Sequence, residues 1–191
     1  MSKQILFALL LMVMATAIHL ESEHRPVHEG EKKNVYLKVN GQRYLTGCSF
    51  CPEKNFGTAT NWNIKQLKVF VGETTPTEAS KFEMESFPDG SVKFKRLDTG
   101  TYLAWCQNEC KMSSPITIIS TRADIPNTLW KLETRSDGKR ALKASNGKYL
   151  GLCNGCITGG FLAYNGVDLI GLANKDDIND PWAGIEIINI W

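Results

Sequence analysis

No histidine lies in the folded part of this chain. The three present, His19, His24 and His28, all precede the first strand-like segment. A Ser-His or Cys-His nucleophile pair, or a histidine-ligated metal hydrolase, needs its imidazole inside the fold, so those reaction classes are excluded. Basic runs are also missing. The 22 basic and 20 acidic residues nearly cancel, leaving +2. Nucleic-acid binding needs a basic patch or stripe, so nucleic acid is not an expected partner. No Asn-x-Ser/Thr sequon occurs, and no stretch shows a sustained helical period with caps.

Long apolar runs are limited to the amino terminus. Lys3, the apolar run Ile5 to Val13 and the small residues Ala15-Thr16-Ala17 read as a secretory signal peptide over residues 1–17. The run is shorter than the ~20 apolar residues that span a bilayer. No second run follows, so no membrane span is expected. The mature chain then starts near Ile18 and is secreted. Loss of Lys3 takes the charge from +2 to +1. Residues 18–33, rich in Glu, His, Arg and Pro, read as a flexible leader. Residues 34–191 suffice for one domain with its own core.

What the chain does have is a threefold internal repeat. Val35 to Cys48, Val92 to Cys106 and Ala141 to Cys153 each read as a short strand, a Gly turn and a Tyr-Leu strand. In each, a Cys follows the Tyr by four residues: Tyr44 and Cys48, Tyr102 and Cys106, Tyr149 and Cys153. Between these signatures lie further Val/Ile/Phe/Tyr runs separated by Gly, Asn, Asp and Pro. Pro88-Asp89-Gly90 and Ser136-Asp137-Gly138 mark tight turns between repeats. The pattern predicts an all-β fold: a β-trefoil of twelve strands, in three four-strand repeats about a pseudo-threefold axis. Closure of such a barrel removes exposed sheet edges. Phe82, Trp130 and Trp182 are expected to fill the core at equivalent positions of the fourth strands.

The segment from Trp130 to Leu150 carries an aromatic strand, the Asp137-Gly138 turn, a Leu142-Lys143 strand and Asn146-Gly147-Lys148-Tyr149-Leu150. This resembles a repeat of the fascin-like β-trefoil superfamily, and the likeness extends over nearly the whole mature chain. It implies the fold and leaves function open, because trefoils serve as lectins, inhibitors, growth factors and actin bundlers. The ricin-type Gln-x-Trp signature is missing, as is the plant Kunitz opening pattern. Actin bundling conflicts with export.

Six cysteines fall as three close pairs, and six allow 15 pairings. In an exported chain they are expected to be oxidised. The repeat favours local bridges Cys48–Cys51, Cys106–Cys110 and Cys153–Cys156, each pinning the base of a loop. The runner-up use is zinc, since Cys-x-x-Cys is half of a zinc site. Pseudo-threefold symmetry would hold the halves apart, so neither metal nor cofactor is expected.

The loops behind these cysteines, residues 49–66, 107–115 and 154–168, are where the repeats differ most, and variable loops on a rigid barrel commonly carry function. Phe56, Asn61 and Trp62 in the first, with Phe161, Tyr164 and Asn165 in the third, combine ring faces with amide groups. That combination suits a sugar's apolar face and its hydroxyls. The expectation is a secreted, non-catalytic, monomeric protein that binds an extracellular glycan, lectin-like, through Cys-clamped loops. The alternative is a trefoil-type protease inhibitor presenting one rigid loop to a protein partner. The acidic group Asp176, Asp177 and Asp180 is read as a solvated turn.

Overall fold

The structure is a computed structural model, and it describes residues 30–48, 70–107, 116–120, 124–154 and 169–191. These hold twelve β-strands. They are β1 (Glu31–Val39), β2 (Arg43–Gly47), β3 (Phe70–Glu73) and β4 (Lys81–Ser86). Next come β5 (Ser91–Arg96), β6 (Tyr102–Cys106), β7 (Ile116–Ser120) and β8 (Trp130–Thr134). The last are β9 (Arg140–Lys143), β10 (Tyr149–Asn154), β11 (Leu169–Lys175) and β12 (Ile185–Asn189). Short 3-10 turns at Glu78–Ser80 and Pro126–Thr128 lead into β4 and β8.

Six strands close a ring by antiparallel pairing: β1 with β4, β4 with β5, β5 with β8, β8 with β9, β9 with β12, and β12 back to β1. The other six form the hairpins β2–β3, β6–β7 and β10–β11. Strand β11 also pairs with β3 and with β7. The result is an all-β, trefoil-like barrel with outer strands.

Period-two alternation explains which residues face inward. Val35, Leu37 and Val39 on β1, Phe82 and Met84 on β4, and Val92 and Phe94 on β5 are buried in one core with Trp130 and Leu142. The Leu of each repeat signature lies there too: Leu45, Leu103 and Leu150 are each fully buried. Phe82 sits between Phe70 and Phe94, with ring centroids 5.8 and 6.2 Å away. The Trp130 indole donates to the Leu103 carbonyl at 3.2 Å, so its one polar atom is satisfied inside the barrel.

Two sequence expectations are corrected. Trp182 is 38 % exposed, and it lies in the turn before β12, where its N–H donates to Asp180. Strand β12 begins at Ile185, and Ile185, with half-buried Ile187 behind it, takes the inward positions that Phe82 and Met84 hold on β4. Residues 31–33, assigned to the leader by their charge, extend β1: Glu31, Lys32 and Lys33 pair with Ser86, Glu85 and Met84. Their exposed side chains leave no apolar alternation for the sequence to show.

Candidate functional site

At the meeting of β5, β8 and β9 a cleft of about 390 Å³ opens to solvent. The strands that build it are in fixed register. Ser91 on β5 stands opposite Lys131 on β8, Lys131 opposite Lys143 on β9, and Lys143 opposite Tyr149 on β10. Opposed residues of antiparallel strands share a face, so these four side chains form one row across the sheet. Leu129, Ala144 and Gly147 supply apolar wall, and Asp89, Glu133 and Ser145 complete the rim.

Each polar wall residue has an identifiable hold. Asp89 lies in the turn predicted between the first two repeats. Its Oδ1 accepts from the Ser91 hydroxyl at 2.6 Å and from the Ser91 N–H at 2.9 Å. These hydrogen bonds, the hydroxyl's first, favour the anion and hold the Asp89 carboxyl below its ordinary value. Glu133 accepts from the Tyr149 hydroxyl at 2.8 Å and faces the Lys143 ammonium at 3.5 Å. The Lys143 ammonium also lies 5.3 Å from the centre of the Tyr149 ring. Its pKa is raised by the Tyr149 hydroxyl and then by the Glu133 charge. The Tyr149 hydroxyl is pushed up as well, first by its bond to Glu133 and then by burial. Ser145 accepts from the Trp105 indole at 3.1 Å, tying the rim to β6.

A second cluster flanks the first. Tyr149 packs with Ala141, Ala183 and Ile178 outside the barrel core. Above it, Arg135 reaches the carbonyls of Ile178 and Asp180 at 2.8 and 2.7 Å, and Asn179 at 3.3 Å. The acidic group 176–180 is a braced turn. Asp177 accepts from the Asn179 N–H, Asp180 accepts from the Trp182 N–H, and Asp176 pairs with Lys148. Among the described residues no group of three or more His, Cys, Asp and Glu could hold a metal ion. No helix among them is long and apolar enough to cross a membrane.

The residues selected from sequence, Phe56, Asn61, Trp62, Phe161, Tyr164 and Asn165, lie outside the described residues. The clamped-loop expectation is corrected. Cys48 and Cys106 are disulfide-bonded and buried. Yet among the described residues no bridge joins two cysteines, and Cys51, Cys110 and Cys156, the second cysteines of the expected pairs with Cys48, Cys106 and Cys153, lie outside them, so the clamped-loop reading is not kept. With it falls the function built on it, whether sugar binding or protease inhibition by clamped loops. The cleft was missed by sequence reading because Lys131, Glu133 and Lys143 look like the ordinary polar face of a half-buried sheet. The detectable signal was the Asp137-Gly138 turn, whose hairpin register places Lys131 against Lys143.

No protein-family model matches the chain, and no curated protein matches it. Solved structures do. The designed threefold-symmetric protein ThreeFoil is 13% identical, covering 82% of this chain and 99% of that one, with a TM-score of 0.58. A chain of the Haemophilus ducreyi cytolethal distending toxin is 13% identical over 82% of this chain and 83% of that one, at 0.51. A salivary protein of Culex quiquefasciatus, of the Cysteine and Tryptophan-Rich family, is 14% identical over 87% of this chain and 100% of that one, at 0.56. At such identities the likeness is one of fold: the chain resembles the β-trefoil superfamily in architecture.

Proposed function

We propose that the protein is an exported, monomeric, non-catalytic binding module whose extracellular ligand enters the cleft between β5, β8 and β9. Its three four-strand units, β1–β4, β5–β8 and β9–β12, are related by a pseudo-threefold axis, and the cleft sits where the second unit meets the third. The carrying observation is the cleft itself: a concavity of about 390 Å³ with apolar wall and a few convergent charges, the usual make-up of a ligand site. The signal-like residues 1–17 and the salivary origin of one fold neighbour support export. The confinement of histidine to residues 19–28 supports binding over catalysis.

Two measurements test this reading. Full-length chain made in secreting cells is expected in the medium, with an intact mass matching a start near Ile18; retention in the cytosol overturns export. A fragment screen followed by amide chemical shifts is expected to perturb residues 129–133 and 143–147. Hits that perturb only other surfaces overturn the cleft as the ligand site.

A further inference from the structure

Four charges face the cleft, and they are not equally committed. Glu133 uses one carboxylate oxygen on the Tyr149 hydroxyl and the other on Lys143. Lys143 remains a cation with a carboxylate 3.5 Å away, and it lies over the Tyr149 ring. Asp89 spends Oδ1 on both donors of Ser91. Lys131 differs from these. It is exposed, it lowers the Asp89 pKa through its field, and no carboxylate among the described residues stands within ion-pair distance of it.

Lys131 also stands directly opposite Lys143. Like charges at opposed positions of antiparallel strands repel and weaken the pairing. The neighbouring positions of the same hairpin oppose no like charges: Leu132 faces Leu142, and Glu133 faces Ala141. The two lysines thus stand side by side on the lining of the cleft, with Leu129 and Ala144 as its apolar wall and Leu129 36 % exposed.

We infer that the cleft binds a small amphipathic organic anion, its acidic head between Lys131 and Lys143 and its apolar body on Leu129 and Ala144. The inference rests on the cleft being the ligand site and adds the ligand's chemistry. An anionic head relieves the Lys131–Lys143 repulsion and gains a charge-assisted hydrogen bond. The apolar body covers Leu129, which the fold leaves in water. A cationic head meets the reverse: Glu133 is already paired with Lys143, Asp89 Oδ1 is held by both donors of Ser91, and Lys131 repels it.

Three probes of equal chain length decide the point: octanoate, octanol and octylammonium, each titrated into the folded full chain and followed by amide chemical shifts. Octanoate is expected to bind best, with shifts at residues 129–131 and 143–145. Lys131→Gln is expected to weaken octanoate on the order of tenfold and to leave octanol unchanged. Lys93→Gln, outside the cleft, is expected to change neither. Raising the salt concentration should weaken octanoate alone. Leu129→Ser should weaken all three probes, and near-UV circular dichroism verifies that each variant is folded. Equal binding of octanol and octanoate in the cleft, or tighter binding of octylammonium there, overturns the anion assignment while the cleft remains the ligand site. Shifts confined to another surface, with the cleft silent, overturn both. The absence of any binding up to millimolar probe overturns the anion assignment.

Discussion

At the scale of single residues, burial of charge is the clearest departure from the repeat. Arg96 takes the inward position on β5 that Val39 takes on β1 and Ala144 takes after β9, and it is only 7% exposed. Its guanidinium lies against Gly47, where any Cβ would collide with it, and pairs with Asp98. Asp98 belongs to the turn Leu97-Asp98-Thr99-Gly100, one residue longer than Asn40-Gly41-Gln42 in the first repeat. Asp89 supplies a pH test at this scale. Ser91 holds its carboxyl below the ordinary 3.8, so just under that value the folded state binds fewer protons than the unfolded chain. The stabilisation is complete above 3.8 and is lost as pH falls through the lower folded value. A carbon-detected NMR titration should place the Asp89 midpoint under 3.8, and Ser91→Ala should move it upward. An unshifted midpoint in both proteins refutes the assigned hydrogen bonds. The Leu positions of the repeat were legible in sequence because burial follows period-two alternation. Arg96 was not, since a basic residue ending a strand ordinarily points to water.

At the scale of elements, the turn from 176 to 183 is held by a partner far away in sequence. Arg135 donates to three of its carbonyls, and Ser136 donates to the Asn179 side chain at 2.8 Å. Hydrogen bonds to a charged group contribute about 1.5–3 kcal/mol, and buried acceptors left alone cost comparably. Arg135→Ala is therefore expected to destabilise the protein by about 2 kcal/mol in urea unfolding. It should also speed amide exchange at 178–184 more than in β4 or β5. Uniform exchange changes across the barrel would show that the turn is not a local unit. The strand positions in sequence followed from β-branched and aromatic runs bounded by Gly, Asn and Asp. What sequence could not show is which turn an arginine from another repeat would brace. That same limit misplaced Trp182: the turn Arg135 holds displaces it from β12 toward solvent. The cleft shares this property, being made by register between strands rather than by any contiguous motif.

For the whole molecule, closure of the six-strand ring gathers one main core, in which Phe94 packs edge-on to Phe82. Phe94→Ala should cost about 3–5 kcal/mol by lost burial and cavity formation. Because no strand of the ring can leave without opening two ladders, thermal unfolding is expected to remain one transition at lower temperature. Two separated transitions in calorimetry would argue against a single core. The sequence carried this level best: a repeat of strand, turn and Tyr-Leu strand admits few architectures, and the ring follows. It carried the ligand surface least: the loops chosen for their variability fall almost wholly outside the described residues, and the cleft that the described strands build has no contiguous motif.

The pairing of β12 with β1 has a practical consequence. Val35 stands opposite Asn189, and the Ile190 N–H donates to the Asn34 carbonyl at 2.9 Å. The two ends of the barrel sequence are thus neighbours in one ladder, and the order of the repeats along the polypeptide is interchangeable in principle. A short linker from Trp191 to Gly30, with new ends cut at the exposed turn around Ser136 and Asp137, describes a circularly permuted gene whose product would begin with the third repeat and still close the same ring.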